Sequence, residues 1–134
     1  MSIQAVADTH ALIWYLSNDS RLSETARLAI EGIEKTGNHL AVSAITLVEI
    51  VYLIEKNRIP AQSYERAVTL LGQDNAFVVQ TPLDRLIVDA MRQIDRDQIP
   101  DMPDRIIAAT ARFLNVPVIT IDGKIRQSTV ATIW

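Results

Sequence analysis

The stretch Ile3-Gln4-Ala5-Val6-Ala7-Asp8-Thr9-His10-Ala11-Leu12-Ile13-Trp14 changes its hydrophobic rhythm at a single residue. Ile3 to Ala7 is an apolar run of strand length, and Thr9 to Leu16 carries a helical pattern, so Asp8 stands where a strand hands over to a helix. Outward from this point strand and helix patterns alternate. The spacing predicts strand 3–8, helix 9–17, helix 23–36 stopped by Gly37, strand 39–43, helices 44–57 and 62–72, and strand 76–80. Beyond these come helices 82–96 and 103–115, strand 117–121, a short helical turn and strand 129–133. Helices between strands imply right-handed crossovers, hence an α/β fold whose parallel sheet is covered on both faces. Thr81-Pro82-Leu83-Asp84 reads as a helix start, with a cap, a first-turn proline and an acid three residues on. No Pro/Ser-rich linker or internal repeat divides the 134 residues, and 49% hydrophobic content supplies a core, so one domain over 1–134 is expected.

Four carboxylates fall where such a sheet gathers its ligands, outside the carboxyl ends of the strands. Asp8 follows the first strand, and a plain helix cap accounts for it as well as a ligand role does. Asp122 follows Val118-Ile119-Thr120-Ile121 and precedes Gly123, an ordinary turn signal. Asp104 lies in Asp101-Met102-Pro103-Asp104-Arg105, where Asp101 suits the cap, Pro103 the first helical turn, and Asp104 the positive end of the helix dipole. Glu49 is different. It sits in Ile45-Thr46-Leu47-Val48-Glu49-Ile50-Val51-Tyr52-Leu53-Ile54, which is apolar nearly all round and therefore reads as buried, with no Lys or Arg one turn away. A buried carboxylate without a partner takes up a proton or finds a cation. Four separate caps have no need to converge, so the set points to an all-acid metal site and to phosphodiester hydrolysis.

Composition removes the competing chemistries. Cys is absent and only His10 and His39 carry imidazoles, which excludes structural zinc, thiol nucleophiles and disulfides. Gly32, Gly37, Gly72 and Gly123 are too scattered for a phosphate-cradling loop or a dinucleotide fingerprint. A ribonuclease using the 2′-hydroxyl as nucleophile needs two placed imidazoles. His10 in the first helix and His39 before a strand both read as structural, which leaves cleavage by metal-activated water. The net charge of −3 becomes 13 basic against 12 acidic residues once the four candidate ligands are set aside. That forms no broad basic patch, so substrate affinity is expected from the metal and a few nearby cations, with Lys124 and Arg126 the nearest in sequence. No basic, apolar leader opens the chain and no apolar run approaches about 18 residues. A cytoplasmic protein with no membrane segment is expected.

Asp8-Thr9-His10-Ala11-Leu12-Ile13-Trp14, Val42-Ser43-Ala44 leading to Glu49, the stretch Asp101 to Ala111, and Val118-Ile119-Thr120-Ile121-Asp122 together resemble the PIN-domain ribonucleases, especially the VapC-type toxins of toxin–antitoxin modules. The likeness runs from end to end. It implies a three-layer fold with a five-stranded parallel sheet in the order 3-2-1-4-5, and a Mg²⁺ or Mn²⁺ ion held by Asp8, Glu49, Asp104 and Asp122. It implies endonucleolytic cleavage of RNA as well. Asp8, Glu49 and Asp104 match the three most characteristic acids, while the fourth varies in the family. Thr9, Ser43 and Thr120 are hydroxyls expected to steady the carboxylates or metal water, and Arg105 belongs to the same supporting set. Many relatives carry His-Arg-Asp-Pro-Phe-Asp-Arg before the late helix, where this chain has Gln98-Ile99-Pro100-Asp101-Met102-Pro103-Asp104-Arg105.

The resemblance further implies a VapB-like antitoxin lying over helices of the first half of the chain, and a homodimer paired through helices, for which apolar surface around Tyr52 and Ile54 is the candidate. Hard-cation chemistry agrees with the metal, since an all-oxygen donor set suits Mg²⁺ or Mn²⁺. Two rivals come from another class. A receiver-like signalling module would close its third strand on a phosphoacceptor, where this chain has Gln80-Thr81. A non-catalytic PIN-like binding module would not need acids at all four positions.

Overall fold

Ala5 and Ala7 pack into one hydrophobic core, and Val6 between them packs into another. The same split recurs at Leu40 and Val42 against Ala41, and at Ile119 against Val118. Successive strand residues point to opposite faces, so these strands form a sheet buried on both sides. The computed structural model describes residues 2–134. Its strands are β1 (Ile3–Ala7), β2 (His39–Ser43), β3 (Val78–Thr81), β4 (Val118–Ile119) and β5 (Thr132–Ile133). All neighbours are parallel, in the order β3-β2-β1-β4-β5. This is the order the resemblance implied.

Among the described residues seven helices flank the sheet: α1 (Thr9–Leu16), α2 (Glu24–Lys35), α3 (Ala44–Glu55), α4 (Gln62–Leu71), α5 (Arg85–Met91), α6 (Met102–Leu114) and α7 (Gly123–Arg126). α1, α2 and α4 cover the face holding Leu12, Ile30 and Ala67, while α5 and α6 cover the other with Ile87 and Ile107. The run Ile106 to Ala111 on α6 is wholly buried. Its small residues Ala108, Ala109 and Ala111 let the helix lie close on β1 and β2. α2 ends as its sequence suggests, with Gly37 at φ +72°, a left-handed conformation that costs a glycine little.

Three readings of the sequence need correction. The helix expected over 82–96 is the shorter α5, Arg85–Met91. Thr81 is not its cap: it pairs with Ser43 in the sheet, and Asp84 accepts the Leu86 and Ile87 amides instead. The strand expected over 117–121 shrinks to Val118–Ile119, because the Thr120 hydroxyl accepts the Asp122 amide at 2.9 Å and turns the chain. α3 is not buried all round: Ile45, Thr46 and Ile50 are, but Val48, Val51 and Tyr52 face outward, with Tyr52 58% exposed. Among the described residues no helix is long and apolar enough to cross a membrane.

Candidate active site

Because β1 and β4 are adjacent and parallel, the turns leaving their carboxyl ends lie side by side; Ala7 is in register with Ile119, and the Asp8 amide donates to the Ile119 carbonyl at 3.1 Å. α3 and the start of α6 close over the same end. The result is a pocket of about 270 Å³ lined by Asp8, Thr9, His10, Glu49, Asp101, Asp104, Ile121 and Asp122. All four acids singled out in the sequence line it. β3 ends at the sheet edge on Gln80-Thr81 and contributes no acid.

Cap and pocket roles coexist in these residues. Asp8 caps α1, one oxygen accepting the Ala11 amide at 2.8 Å. Asp122 caps α7 through the Ile125 amide at 3.0 Å. Asp101 caps α6 through the Asp104 amide at 3.1 Å, with Pro103 in the first turn. Each of these carboxylates is thereby fixed through one oxygen, and all three line the pocket. Glu49, partly buried on the inner side of α3, is held differently. The Thr9 hydroxyl donates to its Oε1 at 2.5 Å and lies 3.0 Å from the Thr46 hydroxyl.

Crowding and burial disturb the ionisation of these acids. Burial pushes the Asp8 carboxyl up, against the pull of the Thr120 hydroxyl, the Ala11 amide and His10, while Asp122 adds to the rise. Burial likewise raises Glu49, which the Thr9 hydrogen bond opposes and Asp101 and Asp8 reinforce. Asp104 is pushed up to about 7, first by desolvation and then by Asp122, Asp101, Glu49 and Asp8. A half-buried carboxylate facing four others calls for a proton or a cation.

The donor chemistry fits a hard divalent cation: every acidic side chain offers oxygen, and the cap bonds leave oxygens free. Among the described residues no three His, Cys, Asp or Glu side chains are drawn together tightly enough to grip an ion as they stand. No Lys or Arg lines the pocket.

The supporting residues divide. Thr9 and Thr120 reach the acids, but the Ser43 hydroxyl is spent on the Ile45 amide at 3.2 Å as the cap of α3. Arg105 is likewise committed elsewhere, its guanidinium donating to the carbonyls of Met91 and Ile94 at 3.0 to 3.2 Å. It ties α6 to the end of α5. His39 is structural as expected, its Nδ1 lying 3.2 Å from the Ala76 carbonyl. His10, read as structural, lines the pocket, and so does Asp101, read as the cap of α6. Asp101 carried a signal in sequence, being a second acid crowded onto the helix start that bears Asp104. A larger cavity of about 790 Å³ opens near Asn115–Pro117 and Thr129–Ala131, before β4 and β5 and so at the opposite end of the sheet. With Asp89 its one acid, it lacks the pooled donors of the smaller pocket.

The family profile described as PIN domain matches residues 5–129. No curated protein matches the sequence. Among solved structures, a chain of VapBC2 from Rickettsia felis, bound to a DNA fragment from their promoter, superposes with a TM-score of 0.71 at 16% identity, covering 98% of this chain and 97% of that one. A toxin–antitoxin complex from Klebsiella pneumoniae gives 0.64 at 21% identity over 92% of both chains. FitAcB from Neisseria gonorrhoeae gives 0.62 at 21% over 96% of both. At these identities the three similarities concern the fold.

Proposed function

The chain belongs to the PIN-domain family, and from that premise we propose that it is a Mg²⁺- or Mn²⁺-dependent endoribonuclease of the VapC type, the toxin of a toxin–antitoxin pair. PIN domains are generally nucleases and typically use divalent metal ions. The observation that carries the reading to this chain is Asp104, pushed up to about 7 by burial and then by the four neighbouring acids that line the same pocket. Such crowding costs stability unless a cation or a proton relieves it.

Asp8, Glu49 and Asp104, with Asp122, would hold the ion. When bound, such an ion supplies Lewis-acid chemistry, making water more acidic and offsetting charge on the phosphate. The chain's own groups do the placing. The Ala11 amide fixes Asp8, the Thr9 hydroxyl fixes Glu49, and the cap at Asp101 with the Arg105 anchorage sets the first turn of α6 from which Asp104 projects. With His10 the one imidazole in the pocket, the two-imidazole route through a 2′-hydroxyl has no pair to run it. Water attacking in line then breaks the bond from phosphorus to the 3′ oxygen, leaving a 5′-phosphate and a 3′-hydroxyl.

The antitoxin reading draws on the similar structures, one of which is a toxin–antitoxin complex. A groove of about 370 Å³ between the end of α1 and α4, lined by Leu16, Arg66, Thr69 and Leu70 among others, lies on the first-half helices where a VapB-like segment is expected. The outward face of α3, with Val48, Val51 and Tyr52, is the surface on which we place a second copy of the chain; Ile54 belongs partly to the core. Purified protein incubated with RNA tests the activity. Cleavage should stop in excess EDTA and return when Mg²⁺ or Mn²⁺ is added back, and cleavage that persists in EDTA would overturn the mechanism.

A further inference from the structure

We propose that the ring of His10 is a stacking platform for a nucleobase beside the scissile phosphate. The inference rests on the nuclease reading above and deepens it. His10 lines the acid pocket yet is exposed. Its ring packs on Trp14, centroids 5.6 Å apart and tilted by 51°. Trp14 is buried and held from two further directions: Trp134 meets it edge-on at 5.9 Å, and the Arg21 guanidinium lies 5.1 Å from its ring centroid. The exposed imidazole therefore has a rigid backing, which lowers the entropy lost when a flat group is laid on it.

The rest of the rim favours a base over a phosphate at this point. Five of the eight lining residues are acidic, and no Lys or Arg stands among them to receive phosphate. The exposed lining side chains that offer a flat or apolar surface are His10 and Ile121, the latter 46% exposed. Bases in a duplex have their faces covered by their neighbours, whereas unpaired RNA offers them to aromatic side chains.

The test is fluorescence anisotropy with a labelled RNA octanucleotide and an abasic ribose–phosphate oligomer of the same length, in Mg²⁺, using Asp104→Asn protein to suppress cutting. The Asp104→Asn protein should bind the base-bearing strand about tenfold more tightly than the abasic one. Adding His10→Ala should erase that preference, and adding His10→Phe, which keeps a flat ring without the imidazole's polarity, should retain it. A preference that survives His10→Ala, one lost in His10→Phe, or equal or absent binding of the two oligomers would overturn the platform. Cleavage of RNA by the unaltered chain is scored separately. A His10-dependent base preference without cleavage keeps the platform and removes the nuclease, and cleavage with a preference indifferent to His10 does the reverse.

Discussion

Thr9 Oγ1 donates to Glu49 Oε1 at 2.5 Å, joining residues 40 apart in sequence. A hydroxyl in the first turn of α1 thus fixes the Glu49 carboxylate, and it is the largest influence lowering that carboxyl. Thr9→Val keeps the shape and removes the donor. The Mn²⁺ concentration for half-maximal cleavage should rise about 10- to 100-fold, as loss of a group that orients a metal ligand usually does. An unchanged Mn²⁺ requirement would separate Thr9 from the site.

Removing the charge of one acid should abolish function while sparing the fold. Asp8→Asn, Glu49→Gln and Asp104→Asn should each cut RNA cleavage by at least about a hundredfold, with Asp122→Asn the mildest. Metal-free melting temperatures should stay level or rise, because each change also removes repulsion among the acids. Circular dichroism melts decide it, and an inactive variant that is simply unfolded would return that acid to its cap role.

Stability should fall as pH rises in the absence of metal. Asp104 has its carboxyl raised from 3.8 to about 7. A group whose folded value is raised contributes stability that is fully present below its unfolded value and lost as pH climbs through the folded one. Asp8 and Glu49 are shifted in the same direction. The melting difference between the unaltered chain and Asp104→Asn should therefore vanish below about pH 3 and open by pH 8 in favour of the variant. Mn²⁺ at pH 8 should close it, and a pH-independent difference would show that Asp104 is not stressed.

Much of this was legible in sequence, because the rhythm from strand to helix around Asp8 and the apolar setting of Glu49 are local signals. The β/α alternation follows from hydrophobic period alone. What was not legible depends on contacts distant in sequence. Thr81 and Asp84 are both good cap residues, and pairing of Thr81 with Ser43 decides between them. Arg105 follows Asp104 directly, yet its direction is set by the carbonyls of Met91 and Ile94. Ser43 is absorbed by its own helix start, a competition a motif cannot display. His10 and Asp101 look locally satisfied, and only the meeting of β1, β4, α3 and α6 brings them to the same pocket.

In cells, expression of the chain without an antitoxin should arrest growth, and Asp8→Asn should relieve the arrest. Colony counts after induction measure both. A chain harmless at high expression that still cuts RNA in vitro would remove the toxin reading and leave the nuclease.

Hydrolysis of RNA by water at the shared acid pocket would be recorded in the chemistry of the cut ends. RNA cleaved by the purified chain in Mn²⁺ should carry 5′-phosphate and 3′-hydroxyl ends, shown by ligation of the fragments and by resistance of their 3′ ends to phosphatase, and Asp104→Asn should yield no fragments. Fragments ending in 2′,3′-cyclic phosphate, or the same fragments from Asp104→Asn, would contradict it.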